Sequence, residues 1–184
     1  MQETYPGTTI EVARITKGSS QSLFDGVFAA GGLTLSQVSV MTGLEPYMIQ
    51  NWVKRGFVSS PVKRMYSRDQ FARIIIINML RDSLQIEKIC SLIKIIGGDP
   101  NDRSDDLIGD CELYHRYVDM LADGEVNVTA PDSVRRCAER AAEGFEGQMP
   151  NAKKQLVRIL QIMLFAHAAS RLKERSGEML STFQ

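Results

Sequence analysis

The stretch Thr34-Leu35-Ser36-Gln37-Val38-Ser39-Val40-Met41-Thr42-Gly43-Leu44-Glu45-Pro46-Tyr47-Met48-Ile49-Gln50-Asn51-Trp52-Val53-Lys54-Arg55-Gly56 decides the reading of this chain. Thr34 is a good helix N-cap, Leu35, Val38 and Met41 recur every three residues, and Gly43 supplies the residue on which such a helix ends. A second helix is predicted from Pro46, favoured in a first turn, to Arg55 before Gly56. Two short helices joined by a tight glycine turn form a helix-turn-helix order.

Downstream, Phe57 to Tyr66 holds Val58, Pro61 and Val62 without helical period and reads as a loop or small hairpin. Ser67 then caps a helix over Arg68 to Asp82. Four consecutive β-branched residues, Ile74 to Ile77, favour strand locally, but Phe71, Met79 and Leu80 fit a helix that is mostly buried. Upstream, Leu23, Phe24, Val27 and Phe28 mark an amphipathic helix over Ser20 to Ala30, ended by Gly31-Gly32. Ile86, Ile89, Cys90, Ile93 and Ile96 give another stripe, and further helices are predicted over Leu107 to Leu121, Val134 to Ala142 and Ala152 to Lys173. The fold class is therefore all-α. Residues 1–33 read as an N-terminal extension and helix, 34–97 as a head, and 98–184 as a helical domain for dimerisation or effector binding. The linker falls at Gly97-Gly98-Asp99-Pro100-Asn101.

Charge supports that division. The chain has 22 basic and 22 acidic residues, yet residues 34–94 carry 9 basic and 4 acidic groups while 95–150 carry 5 and 13. A basic segment beside an acidic one is a frequent mark of a nucleic-acid surface joined to another module. The acidic run Asp99, Asp102, Asp105, Asp106 and Asp110 does not keep the alternate spacing of a calcium loop, which Arg103 interrupts; Asp105 and Asp106 instead suit the first turn of a helix.

With 184 residues, 43% hydrophobic and 24% charged, the chain is long enough for one domain or two small ones. It shows neither an apolar run of membrane-spanning length nor a signal segment, so a cytoplasmic protein is expected. Cys90, Cys111 and Cys137 are too few and too widely spaced for a disulfide framework and read as reduced thiols. No phosphate-binding glycine loop, zinc-protease motif or nucleophile elbow occurs, and His115 and His167 are the only histidines. No enzyme activity, metal or cofactor is expected.

The strings Leu35-Ser36-Gln37-Val38, Thr42-Gly43-Leu44, Ile49-Gln50-Asn51-Trp52 and Lys54-Arg55-Gly56-Phe57, with Pro61 and Tyr66-Ser67, resemble the DNA-binding head of the MerR family. The Gly31-Gly32 pair, Ile49-Gln50-Asn51-Trp52, Lys54-Arg55-Gly56, Ile77-Asn78-Met79-Leu80 and Glu112-Leu113-Tyr114 are together similar to a bacterial family known only as a domain of unknown function, itself similar to MerR regulators. The resemblance implies a winged helix-turn-helix whose second helix enters the major groove, dimerisation through helices beyond the head, and in some relatives a small effector.

Chemically, amide and basic side chains read base edges while cations neutralise phosphates. Gln50, Asn51 and Lys54 share one side of the second helix, with Ile49, Trp52 and Val53 left for packing. Tyr47 stands one turn before Asn51, Arg55 follows Lys54, and Lys63, Arg64 and Arg68 cluster on and after the wing. Ser36, near a helix N-terminus, is placed for a phosphate. The last helix is nearly apolar from Leu156 to Ala169 and wants two contact surfaces: its own domain and a second protomer, or a fully buried position within one. The expected function is a dimeric DNA-binding regulator of transcription. The alternatives are a protein-interaction module on the same scaffold, and a helical bundle in which Trp52, Phe57 and Tyr66 are core and the cations a solvated face.

Overall fold

One helix sits at the centre of the molecule and explains most of what surrounds it. In the computed structural model, which describes residues 3–97, 106–124 and 126–183, eight helices and one short strand pair are present among the described residues. Numbered in chain order, the strands are β1 (Glu3–Thr4) and β2 (Glu11–Val12), and the helices are α1 (Ser19–Val27), α2 (Leu35–Thr42), α3 (Pro46–Lys54), α4 (Arg68–Leu80), α5 (Ile86–Ile96), α6 (Asp110–Ala122), α7 (Pro131–Ala141) and α8 (Ala152–Ser181).

Helix α4 is the central one. Ser67 opens it with a capping box, its hydroxyl accepting from the Gln70 N–H while the Gln70 side chain accepts from the Ser67 N–H. Every residue from Gln70 to Ile77 is buried. The four isoleucines are helical because α4 is packed against α2, α6 and α8, with the N-terminal loop on its remaining side. Full burial of each contributes about 1.5–3 kcal/mol, whereas the helix propensity deficit of isoleucine is below about 1 kcal/mol. Burial decides the conformation.

The chain is mostly helical, as an all-α class requires, and the strand pair is an addition within the segment read as an N-terminal extension. β1 and β2 pair antiparallel, Glu3 opposite Val12 and Thr4 opposite Glu11, too short for alternation to show in the sequence. The loop between them is pressed on α4: Tyr5 is buried, Tyr114 Oη donates to Pro6 O at 2.9 Å, and Asn78 Nδ2 donates to Gly7 O at 2.9 Å. Helix α1 ends at Val27, earlier than expected, and lies against α6 with the Phe24 ring 5.7 Å from Tyr114 and 4.9 Å from His115.

Two further expectations are corrected. Asp106 precedes α6 instead of occupying its first turn; the acids there are Asp110 and Glu112, and Leu107 and Ile108 are buried ahead of the helix. Helix α8 runs past Lys173 to Ser181. Asp99, Asp102, Asp105 and the linker residues 98–101 lie outside the described residues. Buried apolar residues of all eight helices belong to one connected cluster. Among the described residues no helix is long and apolar enough to cross a membrane.

A buried ion pair joins α4 to α6. Arg73 Nε lies 3.0 Å from both carboxylate oxygens of Asp110, and the two side chains are 6% and 8% exposed. Burial pushes the Asp110 carboxyl up to about 6, against the pull of Arg73. The sequence offered no sign of this pair, because its members stand 37 positions apart.

Candidate nucleic-acid interface

The expected surface assembles from α2, α3 and the segment after them. Thr34 caps α2 with a full capping box to Gln37, and Gly43 closes it at φ 68°. Glu45 precedes α3 and Pro46 opens it. Within α3, Ile49 and Trp52 are buried against the core, and Tyr47, Gln50, Asn51 and Lys54 are exposed. The 3.6-residue period forces that split: with Ile49 and Trp52 pointing inward, positions 47, 50, 51 and 54 point outward.

The segment after α3 is a tight hairpin. Val62 and Met65 form an isolated antiparallel bridge, with the Met65 N–H donating to Val62 O at 2.9 Å. Between them Lys63 and Arg64 have φ of 50° and 64°. Two consecutive residues at positive φ match a type I′ turn, where Asn-Gly is the preferred pair. This chain places two exposed cations there instead. The hairpin is tied back by a bridge between Leu33 and Tyr66, each N–H donating to the other's carbonyl at 2.9 and 2.7 Å. That bridge fixes the Lys63-Arg64 turn to the residue just ahead of the α2 cap.

Not all of the expected residues are equally available. Arg68 Nη1 lies 2.6 Å from Asp25 and its guanidinium sits over the Phe28 ring at 5.7 Å, so it is committed to α1. Arg55 lies over Phe57 at 4.7 Å while remaining exposed. Lys54, Lys63 and Arg64 form no ion pair among the described residues. Ser36 is exposed in the first turn of α2. Trp52 and Tyr66 are core and Phe57 is partly buried, as a packed bundle also requires.

This run of helices and hairpin lies inside a recognisable sequence unit. Residues 27–117 match the family described as Domain of unknown function (DUF1836). The DUF1836 domain takes in the last residue of α1, all of α2 to α5 and the start of α6, and so contains all nine candidate residues and the Arg73–Asp110 pair. No curated protein and no solved structure matches the chain. The matched region thus ends at residue 117, within α6 and short of α7 and α8.

His115, read from the sequence as a surface or boundary residue, and His167 both hold part-buried contacts. His115 is half-buried, its Nδ1 2.9 Å from Ser20 Oγ. His167 Nδ1 lies 2.7 Å from Tyr117 Oη. Burial first, and Arg171 second, lower His167 from 6.5 to about 4. The unfolded chain therefore takes up this proton at a higher pH than the folded chain. The contribution is complete above about pH 6.5 and falls as pH drops toward 4, a loss of about 2 kcal/mol by roughly pH 5. Asp110, raised to about 6, acts in the opposite direction between roughly pH 4 and 6. A comparison of wild type with His167→Gln isolates the histidine: their difference in urea stability should shrink by about 2 kcal/mol between roughly pH 7.5 and 5. An unchanged difference would mean that His167 is not held neutral. All three cysteines are free: Cys137 is buried, Cys90 and Cys111 are half-buried, and burial pushes the Cys111 thiol up.

Proposed function

We propose that the chain is a cytoplasmic, dimeric DNA-binding regulator whose 34–97 segment works as a MerR-like winged helix-turn-helix. The observation that carries this reading is the outward face of α3, Tyr47, Gln50, Asn51 and Lys54, together with the cationic Lys63-Arg64 turn held by the Leu33–Tyr66 bridge. In this reading α3 enters the major groove, Gln50 and Asn51 meet base edges, and Lys54, Lys63 and Arg64 neutralise phosphates. Left-handed backbone at two cations costs about 1–2 kcal/mol per residue, strain of the kind retained at functional sites.

Dimerisation is supported by α8. Ile162, Phe165, Ala169, Leu172 and Met179 of α8 fall on one face at spacings of three, four, three and seven, and all are exposed. This is the apolar repeat of a two-stranded helical seam. From Arg171 onward every described residue is exposed, and a helical segment without a packing partner is marginal in water. A second copy meeting this stripe would support it. Phe165→Asp with Leu172→Asp should yield a monomer by sedimentation with its fold retained; an unchanged dimer would place the interface elsewhere.

The test of DNA binding is selection from a random duplex library at about 0.1 M salt, where close phosphate contacts remain effective. An enriched inverted repeat is expected. Lys54→Glu with Arg64→Glu should abolish duplex binding while leaving helicity and oligomeric state intact, and unchanged affinity would sink this contact surface. Val40 and Tyr47, exposed by 72% and 68%, favour a second reading, a protein-docking face on the same scaffold. Salt separates the two: each neutralised phosphate weakens binding by about 0.9 log units per log unit of salt, and apolar docking does not.

A further inference from the structure

Opposite its apolar stripe, α8 carries a polar face. His167, Ser170, Arg171 and Glu174 follow one another at helical spacing and, with Asn78, Asp82 and the loop from Thr4 to Thr8, line a cavity of about 250 Å³ between the N-terminal strands, the end of α4 and α8. His167 and Arg171 also line a second cavity of about 350 Å³ that reaches toward Leu121 and Gly124.

Two buried atoms of residues that line the first cavity, Asn78 Oδ1 and Ser170 Oγ, form no hydrogen bond among the described residues. Buried polar atoms are paired in the large majority of cases, and two of the three exceptions here belong to residues of this one cavity. Their chemistry is complementary. Asn78 Nδ2 is committed to Gly7 O and Thr42 O at 2.9 and 3.0 Å, so its free oxygen needs a donor. Ser170 offers a hydroxyl proton. Arg171 forms no ion pair among the described residues. Tyr117 Oη lies 2.7 Å from His167 Nδ1; with the tyrosine as donor in that bond, Nε2–H is the free donor of a neutral imidazole. Three donors therefore share one face of α8, while Asn78 Oδ1 and the carboxylates of Asp82 and Glu174 supply acceptors.

We propose that this cavity binds a small α-amino acid, its carboxylate held by Arg171, Ser170 and His167 and its ammonium by Asn78 Oδ1, Asp82 and Glu174. The volume corresponds to about eight waters at roughly 30 Å³ each, room for such a molecule. Inorganic phosphate would satisfy the donors but bring negative charge, with no compensating cation, against the carboxylates of Asp82 and Glu174. A simple amine would leave Arg171 and Ser170 unused. Arg81 also lines the cavity, turned to Met48 Sδ at 3.6 Å and 4.0 Å from Asp82, so two arginines face two carboxylates and the lining suits a zwitterion. Because Asn78 also ties the N-terminal loop to Thr42 at the end of α2, an occupant here bears on the turn between α2 and α3.

The test is calorimetric titration of the full chain with glycine, serine, aspartate, glutamate and arginine, and with acetate, ethylamine and inorganic phosphate as partial mimics. Saturable binding of at least one amino acid is expected, with none of the mimics binding at the same concentration. Saturation should shift the His167 imidazole nitrogen resonances. Arg171→Gln should weaken binding about tenfold or more with helicity unchanged; if that variant does not fold, Ser170→Ala carries the same criterion. Absence of binding by every amino acid, equal binding of acetate or phosphate, or undiminished affinity in the folded variant would each overturn the proposal.

Discussion

Asp110→Ala is expected to lower the unfolding free energy by about 3–5 kcal/mol, the usual result of removing one member of a buried ion pair. Arg73 is buried and cannot lose its charge, so the substitution takes away the carboxylate to which its Nε donates and leaves the guanidinium in the core. The variant also removes an acid from the first turn of α6, where a negative charge is favourable. The effect should propagate, since Arg73 belongs to the central helix and Gly97 is needed to make room beside it: a Cβ there would meet Asp106 and come within 3.0 Å of Arg73 Nη2. Urea unfolding measures the loss. The double variant Arg73→Met with Asp110→Leu should recover most of it, because neither charge is then buried. A single variant within about 1 kcal/mol of wild type would show that Arg73 finds another acceptor or water, and that the pair does not fix α4 to α6.

Gly7→Ala should cost about 3 kcal/mol, combining a left-handed conformation at about 1–2 with overpacking at about 1–3. Gly7 has φ +73°, and a Cβ there would overlap the Ile75 carbonyl oxygen. That neighbour is backbone of the central helix, so no side-chain rotation relieves the contact. The loop must lift, which weakens the Tyr114 bond to Pro6 and the Asn78 bond to Gly7 and uncovers Tyr5. The melting temperature should fall by roughly 6–12 °C for a chain of this size. Gly26→Ala is the control: Gly26 lies within α1 with nothing near its Cβ position, and alanine should there be neutral or stabilising by up to about 1 kcal/mol. Equal melting temperatures for Gly7→Ala and wild type would show that the loop is not seated on α4.

The candidate surface was the most legible part of the sequence. Its two helices are short, each opened by its own signal, Thr34 or Pro46, and closed by glycine, and the positions of Ile49 and Trp52 leave little freedom for Gln50, Asn51 and Lys54. The segment after α3 was readable only as loop or hairpin. A type I′ turn is normally announced by Asn-Gly, and Lys63-Arg64 gives no such notice. The commitment of Arg68 to Asp25 was equally hidden, since the partners lie 43 positions apart and their meeting depends on how α1 packs.

Local chemistry in the sequence determined the helices, their order and most of their ends, because caps, glycine stops and apolar period act within a few residues. It also determined the outward face of α3, which follows from the inward one. Tertiary structure alone decided the strand pair, the Arg73–Asp110 bond, the neutral state of His167 and the polar cavity beside it. Each of these joins groups far apart in the chain and takes its energy from the removal of water, which exists only once α4, α6, α8 and the N-terminal loop have closed on one another.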